Sequence, residues 1–496
     1  MGVFFNSKRG VLQPQQIWAK HPDDGWKPIK KAFMRVEAGS GKWRQFWPAV
    51  KQGLLDGSSL RWLLTGENTN RDGHPRDEAA RREVTSIIES SASGKFILLS
   101  EDSPYDTSIT LVPEDDSLNN WASGDITKEW RMAGVEKFWA GGSMRPGGIE
   151  FGALFEISPR NFAWVCNDGV RFIQEPDGEA LPEGVYQDPV TGLIVPEPPT
   201  VGPGEGAEAV FPRNSIGGQI VPVTTGTPPR TTYDKSGQYG YINATGENAK
   251  FGSIRAADMW QNYLFVLDVR AQALRRIDLQ TRAVVTLAGD ITNQGRVGTD
   301  WTEPETVDGV GTSARFSLHK VASTINRSDI AVHPSGEWAL VSQDLGQFSQ
   351  DSCLRKVYLS AADGYQENEV ITVVGYKKDY PNPGETGIPL AEFGWNGYEF
   401  QNLEFSPDGS ALYFGTWRRL YVIDGIDTDE PMVYRRSNNN SQSSQEDQSA
   451  GNTTFGALMQ LQLRSPSGRV FAVDGGNLVT NAGRREVRIL GTAESS

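Results

Sequence analysis

The stretch NLEFSPDGSALYFG, residues 402–415, decides the fold. Pro407 presets the backbone for the first corner of a tight turn, Asp408 tolerates the middle of that turn, and Gly409 accepts a positive φ. The residues on both sides are apolar in alternation or continuously, which is the pattern of half-buried and buried strands. The stretch therefore predicts a β-hairpin.

This hairpin pattern recurs along the whole chain. Six copies with no helical periodicity between them predict an all-β protein. They favour a six-bladed β-propeller with long irregular insertions, because radial repetition protects the edges of sheets. A pair of β-sandwiches with incidental turns is the alternative. In chain order, the copies span residues 87–100, 154–166, 253–268, 329–342, 402–415 and 461–473.

The middle of this series carries a longer pattern. LFVLDVRAQALRRIDLQTRAVVTLAGD (residues 264–290) is followed by VDGVGTSARFS (residues 307–317) and then by the hairpin copy that begins at residue 329. This order of an Asp-ended strand, a basic strand, a V-x-T-x-x-G strand, DGxGxxAxF and a PxG turn resembles the NHL repeat over about residues 253–425. The resemblance implies a propeller, often six-bladed. It implies fold more than activity, because NHL-like propellers serve as binding platforms, scaffolds and occasionally enzymes.

The first 60 or so residues differ in character from the repeats. KAFMRV and KWRQFWP are predicted to be two strands, and EAGSG between them (residues 37–41) is predicted to be a Gly-rich hairpin turn. This aromatic and basic stretch, about residues 18–48, resembles a short hairpin module found near the N-termini of bacteriophage tail and other virion proteins. The resemblance implies attachment to a virion. Its four candidate interaction residues are Trp18, Trp26, Trp43 and Trp47.

The composition shifts along the chain predict its domain organisation. Residues 1–60 form the N-terminal attachment module, residues 80–173 the first two blades, and residues 251–496 the remaining four blades. Residues 174–250 are rich in Pro and Gly, and we expect an extended arm or an inserted element there rather than a structureless loop. The polar stretch 435–454 is expected to be a loop that is mobile or ordered by a partner.

Composition also excludes several classes of function. The chain has 62 acidic and 48 basic residues and a net charge of −14, which argues against direct nucleic-acid binding. No apolar run approaches the roughly 20 residues that span a bilayer, and the N-terminus lacks the apolar region of a signal peptide. We therefore expect no membrane partner. Two cysteines and four histidines without metal-ligand spacing predict no metal and no cofactor.

Three local patterns suggest a site but have ordinary structural interpretations. GSGKW (residues 39–43) lacks the earlier Gly and the following Ser or Thr of a phosphate loop, so we prefer the hairpin turn. The acidic run at residues 424–430 lacks the spacing of a calcium loop and is interpreted as a solvated turn between blades, with calcium as the alternative. His333 precedes Pro334 in a turn and is interpreted as a solvated loop residue.

Basic residues recur at similar places in successive units. Stacked at one strand level, they would form a positive ring that binds an acidic partner subunit, or faces DNA if the protein lined a channel. The alternative is that they are solvated strand ends paired with nearby acids, each pair contributing about 0–1 kcal/mol. Lys320 belongs to the same series. The candidate interaction residues are Arg275, Arg276, Arg355, Lys356, Arg418 and Arg419.

Together these observations favour a non-enzymatic bacteriophage virion structural protein. It would be located in the tail, nozzle or neck of the virion, where its propeller is a scaffold for protein–protein contacts. Its expected partners are other virion proteins and further copies of the chain in a homo-oligomer. One alternative is a tail protein whose propeller binds a host receptor or glycan. Another is a propeller lyase or hydrolase with an axial metal, which predicts His319 or His333 beside carboxylates at the axis.

Overall fold

The regular structure of the protein consists almost entirely of β-strands. A computed structural model describes the strands given below, together with two short 3₁₀ helices, Gly246–Asn248 and Gly311–Ser313. Of the described helices, neither has the length or the apolar character to cross a membrane. The described stretches that extend beyond single strands are residues 84–94, 152–166, 240–290, 306–318, 328–343, 353–375, 387–393, 401–437 and 458–463, with 363, 417 and 418 excepted.

The chain divides into two compact units, and the first is Met1–Asp56. In this unit β1 (Val3–Phe5), β2 (Ile17–His21) and β3 (Gly25–Pro28) form an antiparallel sheet, and β4 (Ala32–Arg35) pairs with β5 (Trp43–Trp47). The register places Arg35 opposite Trp43, on either side of the Gly-rich stretch. The hairpin predicted for KAFMRV and KWRQFWP is therefore confirmed.

The second unit, Gly57–Ser496, contains six sheets of four or five antiparallel strands. Its first strand, β6 (Ser59–Leu64), belongs to the last of these sheets. Sheet 1 contains β7 (Val84–Glu89), β8 (Phe96–Ser103), β9 (Asp106–Val112) and β10 (Lys128–Arg131).

The segment after sheet 1 builds the second sheet and two separate hairpins. Sheet 2 contains β11 (Gly152–Ser158), β12 (Asn161–Cys166), β13 (Gly169–Gln174) and the later strand β16. The hairpin strands are β14 (Val185–Gln187) with β15 (Ile194–Pro196), and, after β16 (Ile216–Gly217), β17 (Val221–Thr225) with β18 (Arg230–Asp234). Residues 174–250, for which the sequence predicts an extended arm or an inserted element, contain two hairpins and an edge strand of sheet 2.

The remaining four sheets follow in chain order. Sheet 3 contains β19 (Ile254–Trp260), β20 (Tyr263–Asp268), β21 (Ala273–Asp278) and β22 (Val284–Ala288). Sheet 4 contains β23 (Gly309–Val310), β24 (Ile330–Val332), β25 (Trp338–Gln343), β26 (Cys353–Tyr358) and β27 (Glu369–Val374). Sheet 5 contains β28 (Ile388–Pro389), β29 (Gln401–Phe405), β30 (Ala411–Thr416), β31 (Arg419–Asp424) and β32 (Met432–Arg435). Sheet 6 contains β33 (Gln448–Ser449), β34 (Leu458–Gln462), β35 (Val470–Asp474), β36 (Glu486–Leu490) and β6.

The inner strands of these sheets meet around a common axis. β7, β11, β19, β24, β29 and β34 contact one another in that order, and β34 contacts β7. In sheet 6, β6 pairs with β36, so a strand from the start of the unit completes the last sheet. The polar stretch 435–454 contributes β33, which pairs with β6; most of that stretch lies outside the described residues.

Apolar cores fill the spaces between successive sheets. One core joins sheets 2 and 3 around Val165 and Val266. A second joins sheets 3 and 4 around Leu267 and Val341, and a third joins sheets 4 and 5. This arrangement confirms the prediction of an all-β propeller. Packed cores are described between four successive sheets, so the described side chains account for four of the six blades that the sequence predicts.

Each sheet is one blade and carries the same number. At two inner hairpin turns, a glycine packs against a side chain of the preceding blade. Gly336 has a φ of 75°, and a Cβ there would lie 2.1 Å from the Trp260 ring of the preceding blade. Gly409 has a φ of 76°, and a Cβ there would lie 2.2 Å from Nε2 of His333. The residue that precedes one blade's turn therefore fills the space over the turn glycine of the next blade.

Replacing Gly336 with Ala tests this contact. The positive φ alone costs about 1–2 kcal/mol for a residue with a Cβ, and the new methyl must also displace the Trp260 indole. Gly364→Ala is the matched control, because Gly364 has a φ of 85° and nothing within 4 Å of the added Cβ. Urea denaturation should show a larger loss of stability for Gly336→Ala than for Gly364→Ala. Equal losses would contradict the packing described.

Candidate functional site

Three segments, which we call wedges, lie between successive blades. They are residues 240–251, 306–318 and 387–393. Each places one aromatic side chain in the core between two blades, and these side chains are Phe251, Phe316 and Phe393. The wedges therefore set the spacing of the blades whose side chains are described.

The first two wedges share one backbone pattern. Ile242 bridges to Lys250 in the first wedge, as Val307 bridges to Arg315 in the second. The second wedge is the DGxGxxAxF segment of the NHL-like pattern. The first contains NATGENAKF (residues 243–251), a copy that sequence reasoning missed because Asn replaces Asp.

A buried arginine of the same blade holds the first wedge. Nη1 of Arg275 donates to the carbonyl oxygen of Lys250 at 2.6 Å. Nη2 donates to the carbonyl oxygen of Ile242 at 2.8 Å and to Oδ1 of Asn243 at 3.0 Å. The carboxylate of Asp268 lies 3.3 Å from Nη1. A single side chain therefore fixes both strands of the wedge.

Arg355 repeats this arrangement one blade further on. Nη1 donates to the carbonyl oxygen of Arg315 at 2.6 Å and to Oε1 of Gln343 at 3.1 Å. Nη2 donates to the carbonyl oxygen of Val307 at 2.7 Å and to Oδ1 of Asp308 at 2.8 Å. The planar fork of a guanidinium matches two converging carbonyl groups in a way that an ammonium does not.

Both guanidinium groups lie against the wedge aromatics and away from water. Arg275 lies 4.5 Å from the centre of the Phe251 ring, and Arg355 lies 5.0 Å from that of Phe316. The residues are 1 % and 0 % exposed. Burial lowers the pKa of Arg275, against the opposing effect of Asp268, and burial likewise lowers the pKa of Arg355.

These positions correct the prediction of a basic ring. Arg275 and Arg355 are buried in the framework and offer no surface to a partner. The equivalent position in the next blade is Tyr421, because all three residues pair with the fourth residue of the preceding strand. Arg419 lies two residues earlier than Tyr421, so the bases do not share one level.

The other predicted bases are half-buried against aromatic rings or lie outside the described residues. Arg276 lies 4.9 Å from the centre of the Tyr263 ring, and Nζ of Lys356 lies 4.0 Å from that of Trp338. Nη1 of Arg419 donates to a tyrosine hydroxyl at 3.4 Å. Lys320, His319 and Arg418 lie outside the described residues.

The four predicted tryptophans lie on strands of the N-terminal unit. Trp18 is on β2, Trp26 is on β3, and Trp43 and Trp47 are the two ends of β5. Their side chains lie outside the described part of the structure, so their role in binding stays a prediction.

A group of polar and aromatic side chains surrounds His333, between blades 4 and 5. The imidazole stacks on Trp338 with ring centres 4.5 Å apart and meets the edge of Phe405 at 5.2 Å. His333 is 8 % exposed. The interpretation of His333 as a solvated loop residue is therefore wrong, because the next blade's turn covers its ring.

Both ring nitrogens of His333 have polar partners. Nδ1 lies 2.8 Å from Oγ of Ser335 and 3.2 Å from the backbone nitrogen of that residue. Nε2 lies 3.1 Å from Oδ2 of Asp427 and 3.3 Å from the carbonyl oxygen of Gly409. A hydroxyl and a carboxylate therefore contact the two ring nitrogens of one imidazole, and we call this series the Ser–His–Asp line.

Asp427 belongs to the acidic run that the sequence placed between blades. This run connects β31 to β32 and lies within sheet 5, so its placement between blades is corrected. Gly425 has a φ of 66° and accepts the hydroxyl of Thr428 at 2.7 Å. Among the described residues, no group of three or more His, Cys, Asp or Glu side chains is placed to hold a metal ion.

Inner-strand carboxylates form a second set of contacts between blades, which sequence reasoning missed. Oδ2 of Asp258 accepts the Val332 N–H at 2.6 Å, and Oδ2 of Asp329 accepts the Leu403 N–H at 2.8 Å. Glu156 accepts a backbone N–H from blade 1. An acid within or just ahead of an otherwise apolar inner strand is the signal that could have revealed this set.

Comparisons with known proteins give distant structural matches and assign no function. No protein-family model and no curated protein matches the sequence. A protein of unknown function from Bacteroides thetaiotaomicron is 12 % identical, with 98 % of this chain and 89 % of that chain covered and a TM-score of 0.47. An auxiliary nutrient binding protein from the same organism is 9 % identical, with 87 % and 76 % covered and a TM-score of 0.45. The Swd1 β-propeller domain of Myceliophteria thermophila is 11 % identical, with 82 % and 83 % covered and a TM-score of 0.32.

Arg355→Met should destabilise the propeller by about 3 kcal/mol, because it removes four hydrogen bonds from the interior and leaves Oε1 of buried Gln343 without its arginine donor. Arg276→Met is the matched control and should cost less than about 1 kcal/mol, because Arg276 is half-buried on a ring. Urea denaturation of both variants measures the difference. If Arg355→Met loses no more stability than the control, the role given to the buried Arg355 guanidinium is wrong.

Asp329 should give the folded protein a distinctive pH dependence. Burial raises its pKa to about 7, from 3.8. The native state therefore keeps a proton that the unfolded chain releases, and the free energy of unfolding should fall as pH rises from about 4 to 7 and then level. Asp329→Asn should weaken this slope in urea titrations. The control Asp278→Asn should not, because hydrogen bonds lower the pKa of Asp278.

Proposed function

We propose that this protein is a non-enzymatic structural component of a bacteriophage virion, with the propeller as a scaffold for protein–protein contacts. The observation that carries the proposal is the separate N-terminal unit, Met1–Asp56. Its β4–β5 hairpin coincides with the aromatic module that resembles those of virion proteins. In this proposal the unit binds neighbouring tail or neck proteins, and copies of the chain assemble into a homo-oligomer.

The connection between the two units suits such an attachment. The N-terminal unit ends at Asp56, and β6 begins at Ser59. β6 is hydrogen-bonded on one side to β36 and on the other to β33. A load applied to the N-terminal unit therefore reaches the propeller through a strand that is paired on both edges.

The described interior is also that of a framework. The two buried arginines bind main-chain carbonyl groups of the wedges, and the inner carboxylates bind main-chain N–H groups of the neighbouring blade. These groups stabilise the arrangement of blades. A rigid propeller presents its loops in fixed positions, which is what a scaffold for several partners requires.

Deleting residues 1–56 while keeping β6 tests the proposal. The truncated chain should unfold at the same urea concentration as the full chain, since the propeller unit is complete, but it should not be incorporated into assembled particles. A variant with the same deletion that is incorporated at the full chain's level would overturn the attachment role. Native mass spectrometry of the full chain supplies a second measurement, and a strictly monomeric species would count against the oligomer.

A further inference from the structure

The hydroxyl of Ser335 is part of a Ser–His–Asp line that the scaffold role does not use. Ser335 is exposed on the turn between β24 and β25, while the His333 ring beside it is buried. We propose that Ser335 is a nucleophile that accepts an acyl group from an activated acyl donor, such as a thioester or an aryl ester, in a single turnover. This inference is independent of the proposed virion role.

The hydrogen bonds fix the tautomer of His333 that such a reaction needs. The backbone N–H of Ser335 can only donate, and it lies 3.2 Å from Nδ1. Nδ1 is therefore the unprotonated nitrogen, and Nε2 carries the hydrogen. The Ser335 hydroxyl, 2.8 Å from Nδ1, is left to donate its own hydrogen to that nitrogen. This is the hydrogen bond between nucleophile and base that activates a serine.

Asp427 supplies the third member of the line. Its Oδ2 lies 3.1 Å from Nε2, where it accepts the ring hydrogen and stabilises the imidazolium that forms when Nδ1 takes the serine proton. The other groups around the ring restrict its rotation. Trp338 stacks on one face of the ring, Phe405 meets it edge-on, and Gly409 lies over Nε2.

The same turn should limit the reaction to one turnover, because an activated donor can acylate the serine without an oxyanion site but the resulting alkyl ester hydrolyses slowly without one. The Ser335 N–H is engaged by Nδ1 of His333, and the Gly336 N–H donates to the carbonyl oxygen of His333 at 2.8 Å. The Glu337 N–H donates to Oγ of Ser335 at 3.2 Å. The turn therefore commits all three N–H groups and leaves none of them to stabilise an oxyanion, which is commonly a large part of hydrolytic catalysis.

The proposed acyl transfer to Ser335 requires no oxidant and no metal. A bond forms between Oγ of Ser335 and the acyl carbon, and the bond from that carbon to the leaving thiolate or aryloxide breaks. The serine proton passes to Nδ1 of His333 and then to the leaving group. With a fluorophosphonate probe, the Oγ–P bond forms, the P–F bond breaks, and the proton leaves with fluoride.

The full chain should be treated with a fluorophosphonate probe and, separately, with p-nitrophenyl acetate. Peptide mass spectrometry should find the phosphonyl adduct at Ser335, and nitrophenol release should stop near one equivalent. Ser335→Ala should abolish both signals. Ser410, beside Asp408 in the next blade's turn, is an internal control and should stay unlabelled, because its partner is a carboxylate and not an imidazole. Continued release would overturn the single-turnover part of the proposal.

A matched pair of carboxylate variants tests whether Asp427 activates Ser335 or whether the Ser335 hydroxyl reacts only because it is exposed. Asp427 and Asp429 lie in the same exposed turn, but Asp427 is the residue that contacts His333. Asp427→Asn should slow labelling of Ser335 by about tenfold or more, since positioned acid–base groups contribute roughly 10²–10⁴ in rate. Asp429→Asn should leave the labelling rate unchanged. Both variants should keep the wild-type urea unfolding midpoint, because both carboxylates lie in an exposed turn.

Two results would overturn the proposal. One is the absence of a Ser335 adduct in the folded chain under conditions that label a known serine hydrolase. The other is an equal labelling rate in the Asp427→Asn and Asp429→Asn variants, which would show that the hydroxyl reacts without the line. Labelling that persists in urea-unfolded protein would have the same meaning.

Discussion

The arrangement of the described blades depends on two guanidinium groups that bind main-chain carbonyls in the interior. A buried cation without partners is costly, and these two offset that cost with hydrogen bonds to main-chain carbonyl groups of the wedges. Arg275 and Arg355 each join the two strands of a wedge to the blade that follows the wedge in the chain. The wedge aromatic then packs into the gap between blades. The two guanidinium groups thus hold the wedge aromatics in position within the apolar core.

At the inner rim, acidic side chains bind main-chain N–H groups. An inner strand presents unpaired N–H groups at its edge, and such edges invite pairing with other chains. Asp258 and Asp329 accept N–H groups of the next blade's inner strand, which satisfies donors and joins neighbouring blades. On the outer side, Asp308 serves both purposes, since it accepts from Arg355 and from the Thr372 N–H at 3.0 Å. Polar groups therefore close the edges that the ring leaves open.

Local patterns in the sequence predicted the hairpins, because Pro407 and Gly409 determine a turn through their own backbone preferences. The same patterns could not place Arg275, whose partners lie 25 and 33 residues earlier in the chain and are main-chain atoms common to every residue. His333 was misplaced for a similar reason, since the residues that cover it arrive with the next blade. Sequence reasoning succeeded where a residue determines its own conformation, and it failed where a distant segment supplies the environment.

The pairing of β6 with β33 and β36 delays formation of the last sheet during synthesis of the chain. At roughly 5–20 residues per second, the ribosome needs on the order of tens of seconds to pass from Leu64 to Gln448, where β33, the first strand that pairs with β6, begins. For that interval β6 has no partner strand from its own blade, although the blades in between can form their hairpins. The last sheet can therefore form only after its late strands have been synthesised. A chaperone that shields one short strand would protect the nascent chain for the whole of that wait.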